Sequence, residues 1–176
     1  MGNVIWLTGL SGSGKTTLSL KLQEKLRELS VRTELLDGDE VREFFGADLS
    51  YERKDRIANV KRIGFAAHLL SRNGVNVIVA NIAPYYEVRD FLRKNIPNYI
   101  QIYLKSDLES SLKRASKGYY ERLKNGNLRN FIGVDDVYDV PRTPDLTIDT
   151  INTGIAESVD IIMEHLRKTG KITEDK

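Results

Sequence analysis

The segment Gly9-Leu10-Ser11-Gly12-Ser13-Gly14-Lys15-Thr16 has the spacing of a phosphate cradle: a glycine, four residues, a glycine, a lysine and a hydroxyl residue. Glycines so placed let the backbone wrap with its N–H groups inward. Oligophosphate oxygens then meet several donors and the positive end of the helix that follows. Lys15 is expected to bridge the β- and γ-phosphates, and Thr16 to set its hydroxyl on Mg²⁺, which takes oxygen ligands in octahedral geometry. A Gly-Ser turn that merely caps a helix is the plainer alternative, but an apolar run precedes the motif and a helical period follows it. The motif implies a nucleoside triphosphate without saying whether a kinase, a switch GTPase or a motor ATPase uses it. A guanine-reading Asn-Lys-x-Asp is absent, and 176 residues are few for a motor.

Acids and arginines further on point to a second substrate. Leu36-Asp37-Gly38-Asp39 closes an apolar run and leads into Glu40-Val41-Arg42. In phosphoryl transfer a carboxylate orients the attacking hydroxyl and takes its proton. Asp39 is the candidate base. Asp37 is read as holding magnesium-bound water or bracing the turn, and an Asp-Gly-Asp helix cap is the alternative for both. Arg56, Asn59 and Arg62 recur every three residues and share a helix face, beside an apolar face of Ile57, Val60 and Ile63. Arginine forks suit phosphate or sulfate oxygens, although a solvated face would carry the same residues.

These residues need a frame, and the chain alternates strand-length apolar runs with helical periods. Strands are predicted at 4–8, 33–37, 75–81, 99–104 and 146–149, and helices at 15–29, 51–72, 88–94, 108–115 and 155–167. The expectation is a single α/β domain over 1–176, a parallel sheet flanked by helices, with ligands at the carboxyl ends of its strands. The polar, basic stretch 116–130 is read as a mobile lid, with a solvent-washed helix and turn as the alternative. Zero cysteines exclude disulfides and thiolate metal sites, and two histidines, His68 and His165, leave oxygen-bound metal. A net charge of +2 is too balanced for bulk nucleic-acid affinity. With no membrane-length apolar run and no basic leader, a cytoplasmic location is expected. Trp6 reads as core, Tyr85 and Tyr86 read as lining an acceptor pocket or equally as shielding the sheet edge, and the tail after Gly170 as frayed.

In combination these motifs resemble the adenylylsulfate kinases, P-loop kinases that phosphorylate the 3′-hydroxyl of adenosine 5′-phosphosulfate. The likeness runs through Trp6 to Thr17, Leu36-Asp37-Gly38-Asp39, Asp55-Arg56 with Asn59 and Arg62-Ile63-Gly64, Pro84-Tyr85 with Arg89-Asp90, Lys117-Gly118-Tyr119-Tyr120, and Phe131 to Asp136. It implies magnesium-dependent transfer from ATP to a nucleotide ribose, with Asp39, Lys15 and Asp37 as the catalytic set and Thr16 and Asp37 at the metal. Gly9, Ser11, Gly12, Ser13, Gly14, Lys15, Thr16, Thr17 and Arg114 would hold ATP. Arg42, Arg56 and Asn59 would hold the acceptor, with Ala83 in the same wall, Lys117 in the lid and Phe131 stacked on the base; an apolar plug is the alternative for Phe131. The partner implied is a small nucleotide, with no nucleic acid or membrane and room for a homodimer. Departures gather on the acceptor side: Ala83 where Ser is usual, Leu49 for Phe, Ala115 for Asp and Ile132 for Thr. Loss of one aromatic face would suit a smaller base, so a cytidine-linked acceptor is the alternative. A slow ATPase switch is the alternative from another class.

Overall fold

A computed structural model describes residues 1–115, 118–127 and 129–172. Its elements run β1 (Val4–Thr8), α1 (Lys15–Glu28), β2 (Thr33–Asp37), α2 (Gly38–Phe45), α3 (Arg53–Arg72) and β3 (Asn76–Ala80). There follow α4 (Tyr86–Asn95), β4 (Tyr99–Lys105), α5 (Leu108–Arg114), α6 (Tyr119–Lys124), β5 (Leu146–Asp149) and α7 (Ile155–Lys168). The strands form one all-parallel sheet in the order β2-β3-β1-β4-β5.

The central strand shows why the sheet is buried on both faces. Side chains of β1 alternate sides: Val4 and Trp6 enter a core with Val60, Ile63 and Ala67 of α3 and Val88 and Leu92 of α4. Ile5 and Leu7 enter the opposite core, where Leu18, Leu22 and Leu26 of α1 meet Val159, Ile162, Met163 and Leu166 of α7. A strand covered on both sides must be largely apolar, as residues 4–7 of β1 are, with the buried Thr8 at its end. Trp6 is fully buried, and its indole N–H donates to the Asn81 carbonyl at 3.1 Å.

Several boundaries differ from the sequence reading for identifiable reasons. The short α2 is not among the predicted helices, but the alternative reading of Asp-Gly-Asp as a helix cap holds for Asp37, which starts it by accepting the Asp39 N–H at 2.9 Å. Helix α4 begins at Tyr86 rather than 88 because Asp139, far along the chain, accepts the Tyr86 N–H at 2.9 Å. The stretch read as a lid contains α6, none of whose residues is buried; Lys117 lies outside the described residues. Past Gly170 the chain is not frayed at once. Ile172 is buried in the second core, and the Lys171 carbonyl accepts from Asn3 Nδ2 at 2.7 Å.

Candidate active site

The carboxyl ends of β1, β2 and β3, together with the loop after β5, open on one cavity of about 1290 Å³. Pockets for single small ligands run to roughly 1,000 Å³, so this one has room for two nucleotides. Ser11, Gly12, Ser13, Gly14, Lys15, Thr16 and Thr17 line it on one side. Asp37, Asp39, Arg42, Arg56, Asn59, Ala83, Phe131 and Arg114 line it as well.

The cradle is shaped by close approaches. Gly9, expected in the ATP-holding set, is not among the residues lining the cavity; a Cβ there would meet the Leu104 carbonyl at 2.7 Å. At Gly12 a Cβ would meet the Ser111 carbonyl at 1.9 Å, and its φ of +83° is in the left-handed region. Helix α1 starts after Gly14 with no side-chain cap and no acid in its first turn, leaving its N–H groups for an anion. The Lys15 ammonium is folded back on the loop, donating to the Gly9 carbonyl at 2.9 Å and the Leu10 carbonyl at 2.7 Å. This burial, partly offset by Asp39 and Asp37, lowers its pKa from 10.5 to about 8.

Thr16 and Asp37 meet at the cradle's mouth, the hydroxyl donating to Asp37 Oδ2 at 2.7 Å. A hydroxyl beside a carboxylate is an oxygen-only donor set that fits Mg²⁺. Among the described residues no three of His, Cys, Asp and Glu converge on a point, so a cation here would draw its remaining ligands from phosphate and water. Asp37 therefore has both a helix-capping contact and a place at the candidate metal position. Asp39 stands on the first turn of α2, exposed and facing the cradle.

The opposite wall is made by α2, α3, the end of β3 and the Phe131 segment. Arg42 donates to the Leu49 and Ser50 carbonyls at 3.0 and 2.9 Å while lying 4.4 Å from the Tyr51 ring centroid. Asn59 is buried with Oδ1 unpartnered. Ala83 has a φ of 41°; its N–H donates to Asn81 Oδ1 at 2.9 Å and its carbonyl accepts from the buried Arg89 at 2.7 Å. Phe131 packs 4.7 Å from the Tyr119 ring and against Leu112, yet still lines the cavity, so its packing and its access coexist.

Some expectations need correcting here. Arg62 shares the helical spacing of Arg56 and Asn59 but lies away from the cavity, paired in bidentate fashion with Asp48 at 2.7 Å and bonded to the Phe45 carbonyl. Tyr85 is core, and neither it nor Tyr86 lines the cavity. The acceptor side does not lack a second aromatic face, because Tyr51, two residues past Leu49, brings its ring to the cavity. Sequence reading also missed the loop Thr150 to Gly154, whose Thr150 carbonyl accepts from Arg114 at 3.1 Å. Its position directly after the last strand was the available signal, since ligands gather at strand ends.

Comparisons with known proteins agree with this geometry. Residues 1–149 match the family model described as adenylylsulphate kinase. An adenylyl-sulfate kinase of Picosynechococcus sp. is 41% identical over 98% of this chain and 97% of its own length. The structure of a Mycobacterium tuberculosis APS kinase in complex with AMPPNP and APS superposes with a TM-score of 0.88 at 32% identity, covering 94% of this chain and 98% of that one. A hexameric APS kinase from Thiobacillus denitrificans gives a TM-score of 0.74 at 30% identity, covering 99% of this chain and 30% of that one. With its phosphate cradle, its acid-bearing second wall and a family match over most of its length, the chain belongs to the adenylylsulphate kinase family.

Proposed function

We propose that this chain transfers the γ-phosphoryl group of ATP to the 3′-hydroxyl of adenosine 5′-phosphosulfate, giving ADP and the 3′-phosphorylated nucleotide. The observation that carries the reading is one cavity of about 1290 Å³ that the cradle shares with Asp39, Arg42, Arg56, Asn59 and Phe131. Family membership and the likeness to a structure holding an ATP analogue together with APS support it.

In this reading the N–H groups of Ser11 to Thr16 enclose the β- and γ-phosphates, and Lys15 leaves the Gly9 and Leu10 carbonyls to meet them. Arg114 and the Thr150 loop flank the ATP base. Arg42, Arg56 and Asn59 hold the acceptor, and Phe131 and Tyr51 offer faces to its base. Asp39 accepts the 3′-hydroxyl proton as that oxygen bonds to the γ-phosphorus and the bond to the ADP oxygen breaks. Thr16 and Asp37 would hold Mg²⁺, which supplies charge neutralisation along the phosphates. Lys15 stabilises the charge that remains.

The ring of Tyr51 removes the reason to prefer a small pyrimidine, and this favours adenylylsulfate over a cytidine-linked acceptor. Purified protein given ATP with adenylylsulfate, a cytidine diphosphate-type acceptor or no acceptor decides the matter. ADP release that depends on adenylylsulfate is expected. Release only with the cytidine compound would reassign the acceptor, and slow release indifferent to any acceptor would indicate a nucleotide switch. We also propose a single domain acting in the cytoplasm as a homodimer, testable by sedimentation against the 20.0 kDa monomer. Among the described residues no helix is long and apolar enough to cross a membrane.

A further inference from the structure

Arg56 does more than line the acceptor wall. Its Nε donates to the Tyr51 carbonyl at 2.7 Å and its Nη2 to the Asn130 carbonyl at 2.5 Å. Tyr51 and Phe131 both line the cavity, the Tyr51 ring lying under the Arg42 and Arg56 guanidinium groups, and Asn130 immediately precedes Phe131. One guanidinium thus spans the two backbone segments that carry the rings. A rigid planar fork fixes such a spacing in a way that a flexible ammonium does not.

Asp136 holds the fork in place. Its Oδ2 lies 3.4 Å from Arg56 Nε, with only 12% of the arginine side chain and 26% of the aspartate exposed. The same oxygen accepts the Tyr85 hydroxyl at 2.5 Å. Tyr85 is fully buried; burial, reinforced by this hydrogen bond, pushes its pKa upward and keeps it a donor. Asp135 accepts the N–H groups of Asn130 and Phe131, both at 2.6 Å. The turn closes through Gly133 N–H to the Asp136 carbonyl at 2.7 Å and Val134 N–H to the Phe131 carbonyl at 3.1 Å. A displacement at Asp136 therefore reaches Phe131 within one turn of chain.

We propose that Asp136, anchored by Tyr85, is a positioning residue for the acceptor, aiming Arg56 and so setting the gap between Tyr51 and Phe131 that receives a flat base. The proposal rests on the acceptor side assigned above. Asp136 itself does not line the two-nucleotide cavity; it acts through Arg56. Without its charge, Arg56 keeps two carbonyl partners but loses the contact that fixes its tilt, while the ATP cradle is untouched.

The test is steady-state kinetics of Asp136→Asn, Asp136→Glu and Tyr85→Phe, read on whichever acceptor nucleotide the wild-type enzyme turns over. A wild-type enzyme inactive with adenylylsulfate but active with another nucleotide would revise the acceptor and leave this measurement intact. Asp136→Asn is expected to raise the acceptor KM by about tenfold, as a misplaced binding group does, with the ATP KM changed by less than about twofold. Asp136→Glu should recover part of the loss. Arg56→Lys should add little to Asp136→Asn, because the two act as one unit. Equal shifts in both KM values, or additive effects of Arg56→Lys and Asp136→Asn, would overturn the proposal. If Asp136→Asn melts early, Tyr85→Phe, which removes a single oxygen, carries the decision through the same KM comparison.

Discussion

Lys15 in this structure answers to its own loop. Two carbonyls hold the ammonium, and desolvation brings its pKa down to about 8. A bound triphosphate favours the charged form, so it draws the pKa back up. The sign follows: well below pH 8 the free protein already carries the charge and binding takes up no proton at this group. As pH rises from about 8 toward the ordinary 10.5, free Lys15 becomes neutral, and binding must take up as much as one proton while affinity declines. Calorimetry of magnesium–ATP binding in two buffers of different ionisation enthalpy checks this. Buffer-dependent heat is expected at about pH 9 and little at about pH 7, and equal uptake at both would contradict it. Asp39 carries a different expectation. Asp39→Asn should bind ATP as the wild type does and lose turnover by about 100-fold or more, the usual loss for a missing proton acceptor. Turnover within a few-fold of wild type would remove Asp39 from that role.

Among the elements, the cradle depends on α5 as much as on its own glycines. Gly12 approaches the Ser111 carbonyl too closely for a Cβ and also holds a left-handed φ. Gly12→Ala should therefore weaken ATP binding by about tenfold or more and cost roughly 1–3 kcal/mol of stability; wild-type affinity by calorimetry and an unchanged urea midpoint would refute the packing argument. The inner strands β3, β1 and β4 were legible in the sequence because a sheet buried on both faces demands largely apolar runs, and the half-buried edge strands β2 and β5 from shorter apolar stretches. The cradle was legible because its chemistry is local. What escaped depended on distant partners. Asp139 sets the start of α4, Asp48 draws Arg62 out of the site while Asp136 keeps Arg56 beside it, and Tyr51 takes the place at the wall that Leu49 seemed to leave empty. No helical period or residue spacing encodes which carboxylate an arginine will meet across the fold.

At the scale of the whole molecule, two apolar layers hold the sheet rigid while its carboxyl edge stays polar and open. Parallel strands bring the cradle after β1, Asp37 at the end of β2 with Asp39 just beyond it, and Ala83 after β3 to that one edge, so a donor and an acceptor nucleotide can share a cavity. Such positioning, together with electrostatic stabilisation, is most of what a protein contributes to phosphoryl transfer. The segment from Phe131 onward is tied to the body through Asp136, Tyr138 and Asp139, with the Asp139 N–H donating to the Pro84 carbonyl at 2.8 Å. The account's central claim concerns where the phosphoryl group goes, and phosphorus NMR of a reaction with ATP and adenylylsulfate measures that directly. It predicts ADP together with a new phosphomonoester on the ribose 3′-oxygen and an intact phosphosulfate. Inorganic phosphate as the sole new product, or a phosphoryl group found elsewhere on the acceptor, would contradict it.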